Sequence, residues 1–395
     1  MLLALGVLTP RVALAQGLPS EPVALVNGRL VLGADVAATV APEDLGFFNY
    51  SDYEHSTLRE LRAGLTAAFT VTDRVSFLGE VRTENLDSVE PFALYARVRP
   101  WRNRRLDVQV GRIPPTFGAF TRRAYGHDNP LIGYPLAYQY LTSLRHDAIP
   151  LNADELIRMR GRGWLSQFGG GNLTPARGLP LVTVFSWDTG LQVTTGWRAV
   201  EMTASVTNGS ASSPRVEDDN GGKQIAARVV ARPAAGLVVG TSFARGAFVD
   251  DAVFETVVPA ADTRAMQQAF GLDVEAARGR WMTRADAVLS DWTLPVVGTP
   301  RIDNPLRAIA VSLEGRVTVM PGLYAAARAE HLTFSRVWGV TRTDTWDAPV
   351  TRVEVGGGYY LQRNLIARFS VQVNRRDGGR VTASTLPAVQ LLYWF

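Results

Sequence analysis

The sequence predicts an all-β protein, a transmembrane antiparallel β-barrel of sixteen strands with short periplasmic turns and long external loops. Three observations predict this fold. Runs of about ten residues alternate apolar and polar side chains along most of the chain, as tilted membrane strands do. Tight turns alternate with long connections, and the chain ends in an aromatic strand. A β-barrel in an outer membrane combines all three.

The clearest strand pair runs from Phe92 to Arg112. Phe92 and Leu94 begin an apolar face, while Tyr95 and Arg97 lie on the opposite, polar face. Because successive side chains of a strand point to opposite faces, this pattern predicts one face toward lipid and one toward the barrel interior.

The same unit recurs along the chain and gives an even number of strands, as bacterial single-chain barrels have. Fourteen or eighteen strands are the alternatives. The predicted strands are 28–40, 57–71, 75–84, 92–99, 105–112, 181–194, 198–207, 223–232, 236–246, 267–277, 281–290, 306–318, 323–334, 350–360, 364–375 and 385–395.

The two ends of the chain indicate export to the bacterial outer membrane. Residues 1–15 are apolar and end in Ala13-Leu14-Ala15, which predicts a signal peptide; an apolar terminus without that role is the alternative. Residues 16–27 are then a short periplasmic segment, and 28–395 form the barrel. The last strand carries Val389, Leu391, Tyr393 and Phe395 on one face and resembles the C-terminal signature of bacterial outer-membrane barrels.

The polar faces predict a water-filled lumen with a charged wall. So many charges are costly in a dry core but natural around an aqueous channel, which a barrel of this size leaves open. A plugged barrel with a salt-bridged interior is the alternative. The predicted wall includes acid and base pairs spaced two residues apart, and its members are Glu60, Arg62, Glu80, Arg82, Arg97 and Arg99.

The connection 114–180 is the longest in the chain and is the third external loop by strand order. Long loops are usually functional. Its basic bias predicts a constriction that presents guanidinium groups to small anions such as phosphate, carboxylate or sulfate. A loop packed outside, with its arginines bound to lipopolysaccharide phosphates or salt-bridged within the loop, is the alternative. Residues 151–160 predict a short helix opened by Asn152. The candidate solute contacts are Arg122, Arg123, Arg145, Arg158, Arg160 and Arg162.

The stretch from Val110 to Gly118 reads VGRIPPTFG and resembles a strand-end segment of the phosphate-selective porin O/P family, with one more residue before Phe117. The resemblance covers this segment, the strand number and the terminal Phe395. It implies general porin behaviour and a homotrimer. Constrictions in that family are rich in lysine, whereas Lys223 is the only lysine here.

We therefore expect an outer-membrane porin for passive diffusion of small hydrophilic solutes, with a possible preference for anions. Its partners would be outer-membrane lipid, lipopolysaccharide and the solutes. The alternatives are a closed or narrow barrel with a structural or partner-binding role, and a lipid hydrolase centred on Ser143 and His146. We expect no catalytic residues, cofactor, metal site or nucleic-acid partner, since the chain has no cysteine and a net charge of only +4.

Overall fold

The computed structural model describes residues 19–101, 105–123, 126–257, 264–295 and 297–395, and the side chains of residues 122 and 123 are outside that description. Sixteen long strands form the barrel. In chain order they are β1 Leu30–Val40, β2 Leu61–Thr72, β3 Val75–Glu84, β4 Glu90–Val98, β5 Leu106–Ile113, β6 Asp188–Trp197, β7 Val200–Thr207, β8 Gln224–Ala234, β9 Leu237–Ala247, β10 Met266–Arg278, β11 Trp281–Thr293, β12 Leu306–Met320, β13 Leu323–Phe334, β14 Val350–Gln362, β15 Leu365–Arg376 and β16 Ala383–Trp394.

Each strand pairs antiparallel with the next, and β1 pairs with β16, so the sheet closes on itself. Closure matters because no water is available inside a bilayer to pair an exposed strand edge. Beyond the end of β16, a short strand Val23–Leu25 continues the ladder along β1. Phe395 joins the two pieces by exchanging main-chain hydrogen bonds with Ala34. The prediction of a sixteen-stranded barrel is confirmed.

Three short helices lie in the connections: α1 Leu136–Gln139, α2 Ala153–Arg158 and α3 Asp251–Val257. Within the described residues, no helix is long and apolar enough to cross a membrane. Asn152 caps α2 by accepting a hydrogen bond from Glu155 N at 3.0 Å, as the sequence predicted. The predicted signal peptide, residues 1–15, lies outside the described residues.

Large apolar side chains cover the outer face of the barrel. Leu65, Phe77, Leu94, Leu313 and Phe369 are examples, each about half exposed. An exposed apolar band of this kind is the surface that a membrane barrel presents to lipid. Trp101, Trp197 and Trp281 lie exposed beside the short turns, where aromatic residues mark the membrane boundary.

The inner face has two layers. Toward the external end of β8–β13 the inward residues are small or apolar and pack in one core with the long loop; Ala226, Ala244, Ala269, Ala308 and Ala310 are examples. Further along the same strands, toward the short turns, the inward residues are charged. The predicted charged wall is therefore present over only part of the strands' length, because the external end is occupied by protein and not by water.

Phe92 corrects the predicted face of β4. The ladder between β3 and β4 slips by one residue between Glu80 and Val81. A bulge of this kind places two successive residues on one side of a sheet. Phe92 and Ala93 are both buried as a result, and Phe92 packs on Trp187 instead of facing lipid.

The outer band gives a first prediction. Leu313→Arg in the middle of β12 should destabilise the barrel by about 2–4 kcal/mol in lipid vesicles, because it places a charge at membrane depth. Val340→Arg, at a fully exposed loop position, should change the free energy of unfolding very little. Urea unfolding in vesicles measures both, and equal effects would contradict a lipid-facing Leu313.

Candidate pore and its constriction loop

Charged side chains on the inner wall are joined across neighbouring strands. Arg228 on β8 binds Asp273 on β10 with both ends of its guanidinium, at 2.6 and 2.8 Å. Arg284 on β11 binds Glu275 at 2.7 Å and Glu314 at 3.2 Å. A guanidinium that makes two hydrogen bonds to carboxylates fixes the orientation of the side chains as well as neutralising their charge.

Arg328 on β13 is the centre of the largest charge cluster. Its fully buried guanidinium contacts Glu314 at 3.3 Å, Glu330 at 3.1 Å and Glu354 at 2.8 Å. It also donates to the carbonyl oxygen of Gly133 at 2.7 Å. Since Gly133 belongs to the long loop, this one side chain connects three strands of the wall to the loop.

Of the six predicted wall residues, four lie on the inner face of β2–β4 and Glu60 lies at the external end of β2. Arg99 lies one residue past β4 at the opposite end, with 56% of its side chain exposed. Arg62 is buried and donates to the Tyr134 hydroxyl of the loop. Arg82 donates through Nε to Glu80 at 2.5 Å. Arg97 and Arg99 both bind Asp107, and the Arg99 contact is 3.2 Å long. Glu60 is buried one residue before β2.

The segment that resembles the porin O/P family turns the chain into the barrel. Gly118 has φ +76°, and a Cβ there would lie 2.8 Å from the Tyr138 hydroxyl, so glycine is required on both counts. Gly118 N donates to Ser242 on β9 at 3.0 Å, and Thr116 donates to Ser205 on β7 at 2.8 Å. The chain therefore leaves β5 and turns inward along the neighbouring wall formed by β7–β9.

The loop then runs across the lumen along the charged layer. Gly133 N donates to Glu354 at 3.0 Å, and Leu136 N donates to Glu330 at 2.8 Å. The Tyr138 hydroxyl donates to Asp286 at 2.7 Å. Side chains of the wall thus supply the acceptors that this irregular backbone needs inside the barrel. The loop lies within the barrel and not outside it.

Asp347, in the connection before β14, fastens the external half of the loop. Its carboxylate accepts hydrogen bonds from the main-chain N–H groups of Ser143 at 2.6 Å, Gly161 at 2.7 Å and Ala348 at 2.6 Å. Complete burial raises the pKa of Asp347, and these three hydrogen bonds oppose that rise. One buried carboxylate therefore joins two distant parts of the loop to the rim.

The six predicted solute contacts divide into three groups. Arg145 and Arg160 are buried: Arg145 binds Asp147 and the carbonyls of Ser166 and Thr174, and Arg160 binds Asp344 at 2.8 Å. Both hold the loop together. Arg158 and Arg162 are exposed. Arg122 and Arg123 lie in the turn Phe120–Arg123 at the start of the lumenal crossing, and their side chains are outside the described residues.

An open space of about 560 Å³ lies between the loop and the β3–β5 side of the barrel. It is lined by Arg82, Arg177 and Arg215 together with acids and His55.

Burial would lower the pKa of His55, but its hydrogen bond to Asp52 at 2.9 Å and the charge of that acid raise it. For Asp52, burial would raise the pKa, but hydrogen bonds from the Glu54 and His55 main chain lower it.

A second space of about 230 Å³ lies against β8–β12, in the charged layer. Arg228, Arg232 and Glu275 line it, and Phe120 and Pro135 of the loop cover it. Acidic and basic groups are mixed in both spaces, so neither has a wall of one charge.

Ser143 and His146 do not form the catalytic pair that the hydrolase alternative requires. Ser143 is fully buried, and its hydroxyl has no hydrogen-bond partner within the described residues. His146 Nδ1 instead lies 3.2 Å from Asp250. A serine nucleophile needs a base within hydrogen-bond reach, and Ser143 has none.

Sequence reasoning missed three of the residues that place the loop. Glu354 and Asp347 act on backbone N–H groups far away in the chain, and strand periodicity carries no signal for such contacts. Nothing in the sequence around Gly133 indicated its contact with the wall, although a Cβ there would lie 2.7 Å from Glu354.

The inward alanines of β8–β12 could have indicated that the loop lies inside the barrel. Small apolar residues at polar-face positions favour packing against protein.

Comparison with known proteins rests on structure alone, because no family model and no curated sequence matches the chain. OmpT of Vibrio cholerae has 12% identity and a TM-score of 0.55, covering 94% of this chain and 100% of its own. An anion-selective porin from Comamonas acidovorans has 10% identity and a TM-score of 0.56, covering 93% and 99%. The chain has the fold of an outer-membrane porin.

Two further structures have the same fold. The outer-membrane channel DcaP of Acinetobacter baumannii has 11% identity and a TM-score of 0.54, covering 95% of this chain and 100% of its own. A trimer form of the Vibrio OmpT has a TM-score of 0.52, with 14% identity over 93% and 99%. This fold belongs to proteins of the bacterial outer membrane.

The charge cluster gives a second prediction. Arg328→Ala leaves three buried carboxylates without their shared partner, which should cost about 3–5 kcal/mol of unfolding free energy. Arg363→Ala removes a fully solvent-facing pair with Glu21 and should cost under about 1 kcal/mol. Urea unfolding of the folded barrel measures both, and a small effect at Arg328 would show that the cluster does not hold the wall.

Proposed function

We propose that the protein is a passive channel of the bacterial outer membrane for small hydrophilic solutes, narrowed by the loop 114–180. One observation carries the proposal: the loop lies inside a charged lumen and fills one side of it, while a space of about 560 Å³ stays open at the external ends of β3–β5 on the other side. Charged side chains beside an open space are stable because they keep contact with water, whereas the same charges would be costly in a dry core. The fold shared with porins supports the same function.

The proposed anion preference depends on the arginines of the loop other than the buried Arg145 and Arg160. Arg122 and Arg123 follow the turn at Gly118 and begin the lumenal crossing. Arg158 and Arg162 are exposed. Guanidinium groups on a passage for solutes would attract phosphate, carboxylate and sulfate groups.

Single-channel recording in a planar bilayer with a KCl gradient tests this function. We expect stepwise conductance and a reversal potential that favours chloride. Replacing Arg122 and Arg123 together by glutamine should shift that potential toward potassium, whereas Arg363→Gln, on a periplasmic turn, should leave it unchanged. Absence of conductance from correctly folded protein would favour the alternative of a closed barrel with a structural or binding role.

We also propose a homotrimer, associated through the side of the barrel formed by β4–β7. The strands there have 8–10 residues, whereas β10–β12 have 13–15. A shorter wall with exposed apolar residues such as Leu94, Val110 and Leu191 suits contact with a neighbouring barrel. Sedimentation of the detergent-solubilised protein should give three chains per particle; one chain per particle would contradict the trimer.

A further inference from the structure

Two spaces lie along the same wall, one at the external mouth of the barrel and one deeper in the lumen. The 560 Å³ space is lined by Arg82 and Phe92, and a second space of about 270 Å³ is lined by Glu80 and Ala93. Glu80 and Arg82 share one face of β3, and Phe92 and Ala93 are consecutive. The two spaces therefore adjoin at these residues, which lie between them.

The two spaces face opposite ends of the barrel. The upper one extends to external-loop residues such as Asp52, Arg177 and Glu217. The lower one reaches Pro22, Val31 and Phe395, which lie at the end of the barrel where β1 begins and β16 ends. Together the two spaces mark a candidate path along β3 and β4 between the two ends of the barrel.

A small group of side chains stands where the two spaces meet. The Arg82 guanidinium lies 3.4 Å from the centre of the Phe92 ring. Phe92 packs on Trp187 with ring centres 5.0 Å apart, and Trp187 packs on Tyr95 at 6.4 Å. The bulge described above is what turns Phe92 inward to Arg82. A cation and three aromatic rings therefore border the narrow part of this path.

On the opposite side of the lumen, described residues of the loop and the wall close the space toward the external end. The 230 Å³ space is covered by Phe120 and Pro135. Beyond them the external halves of β8–β13 are packed into the apolar core with the loop, where Phe248, Trp292 and Phe334 are buried. A solute entering from the periplasm would stop there.

We propose that solutes cross along the β3–β4 wall, and that Arg82, Phe92 and Trp187 make this path selective for anions with a planar apolar body, of which benzoate is the simplest. The inference rests on the proposed channel function and names its solute class. The Arg82 charge attracts the carboxylate, and the aromatic group offers the ring a surface to pack on.

The lower space favours the same solutes. Unlike the rest of the charged layer, it is lined mainly by apolar side chains: Val31, Ala68, Leu78, Ala93, Tyr95 and Trp187. The charged side chain that lines this space is Glu80, which is bound to Arg82. An apolar ring that has passed Arg82 leaves water there, which is favourable in proportion to the apolar area covered. Acetate has the same charge and gains little from this surface.

Reversal potentials under bi-ionic conditions, with potassium benzoate on one side of the bilayer and potassium acetate on the other, test the proposal. Wild type should pass benzoate better than acetate, although benzoate is the larger ion. Arg82→Gln should lower the permeability of both anions relative to potassium by about two- to fivefold, the range expected from one exposed pair of a guanidinium and a carboxylate. Trp187→Leu should lower the benzoate-to-acetate ratio while the anion-to-potassium ratio for acetate stays near the wild-type value.

Arg232→Gln is the matched control, because it removes the same charge from the covered 230 Å³ space; it should leave both ratios unchanged. Arg82→Lys guards against a folding defect, since it keeps the charge and should retain the acetate permeability. If Arg232→Gln alters the ratios and Arg82→Gln does not, the path is wrong. A wild-type preference for acetate overturns the solute class, and absence of any wild-type conductance overturns the channel function itself.

Discussion

The buried guanidinium of Arg328 is the constraint on which the lumen depends. A buried charge without partners is costly, so several acceptors must come to one point. Here they are carboxylates from β12, β13 and β14 and one carbonyl of the loop. The charge that ties three strands together therefore also fixes the height at which the loop crosses. Glu330 and Glu354, once drawn to Arg328, are placed to accept from the loop's own N–H groups.

The two layers of the inner wall follow from this arrangement. Where the loop crosses, its irregular backbone needs polar partners, and the wall supplies charged and hydroxyl groups. Beyond the crossing, toward the external side, the loop has its own side chains to bury, and the wall there supplies alanines. Water is left on the side of β2–β5, which the loop's core does not reach. The polar or apolar character of the inner wall therefore decides which part of the lumen the loop fills.

Much of this fold could be predicted because lipid imposes a period of two on every strand. All sixteen strands overlap those that alternation predicted, although the sixth, predicted over 181–194, runs from Asp188 to Trp197. The Asn152 helix cap was readable from local sequence. What alternation could not give is contact between distant segments: Arg160 and Asp344 are 184 residues apart, and nothing in a basic loop distinguishes an arginine that binds a solute from one that fastens the loop. The inward turn of Phe92 was also missed, because one bulge residue reverses the pattern without interrupting it.

The division of labour between strands and loop has an evolutionary consequence. The circumference of the barrel is a property of sixteen strands that must fold together, so it is difficult to alter. The free cross-section is a property of one inserted segment held by a few side chains such as Asp347 and Arg328. Substitutions in residues 114–180 can therefore alter the free cross-section without touching the lipid-facing ladder. In the channel proposed above, permeability can thus change between related proteins while the scaffold stays the same.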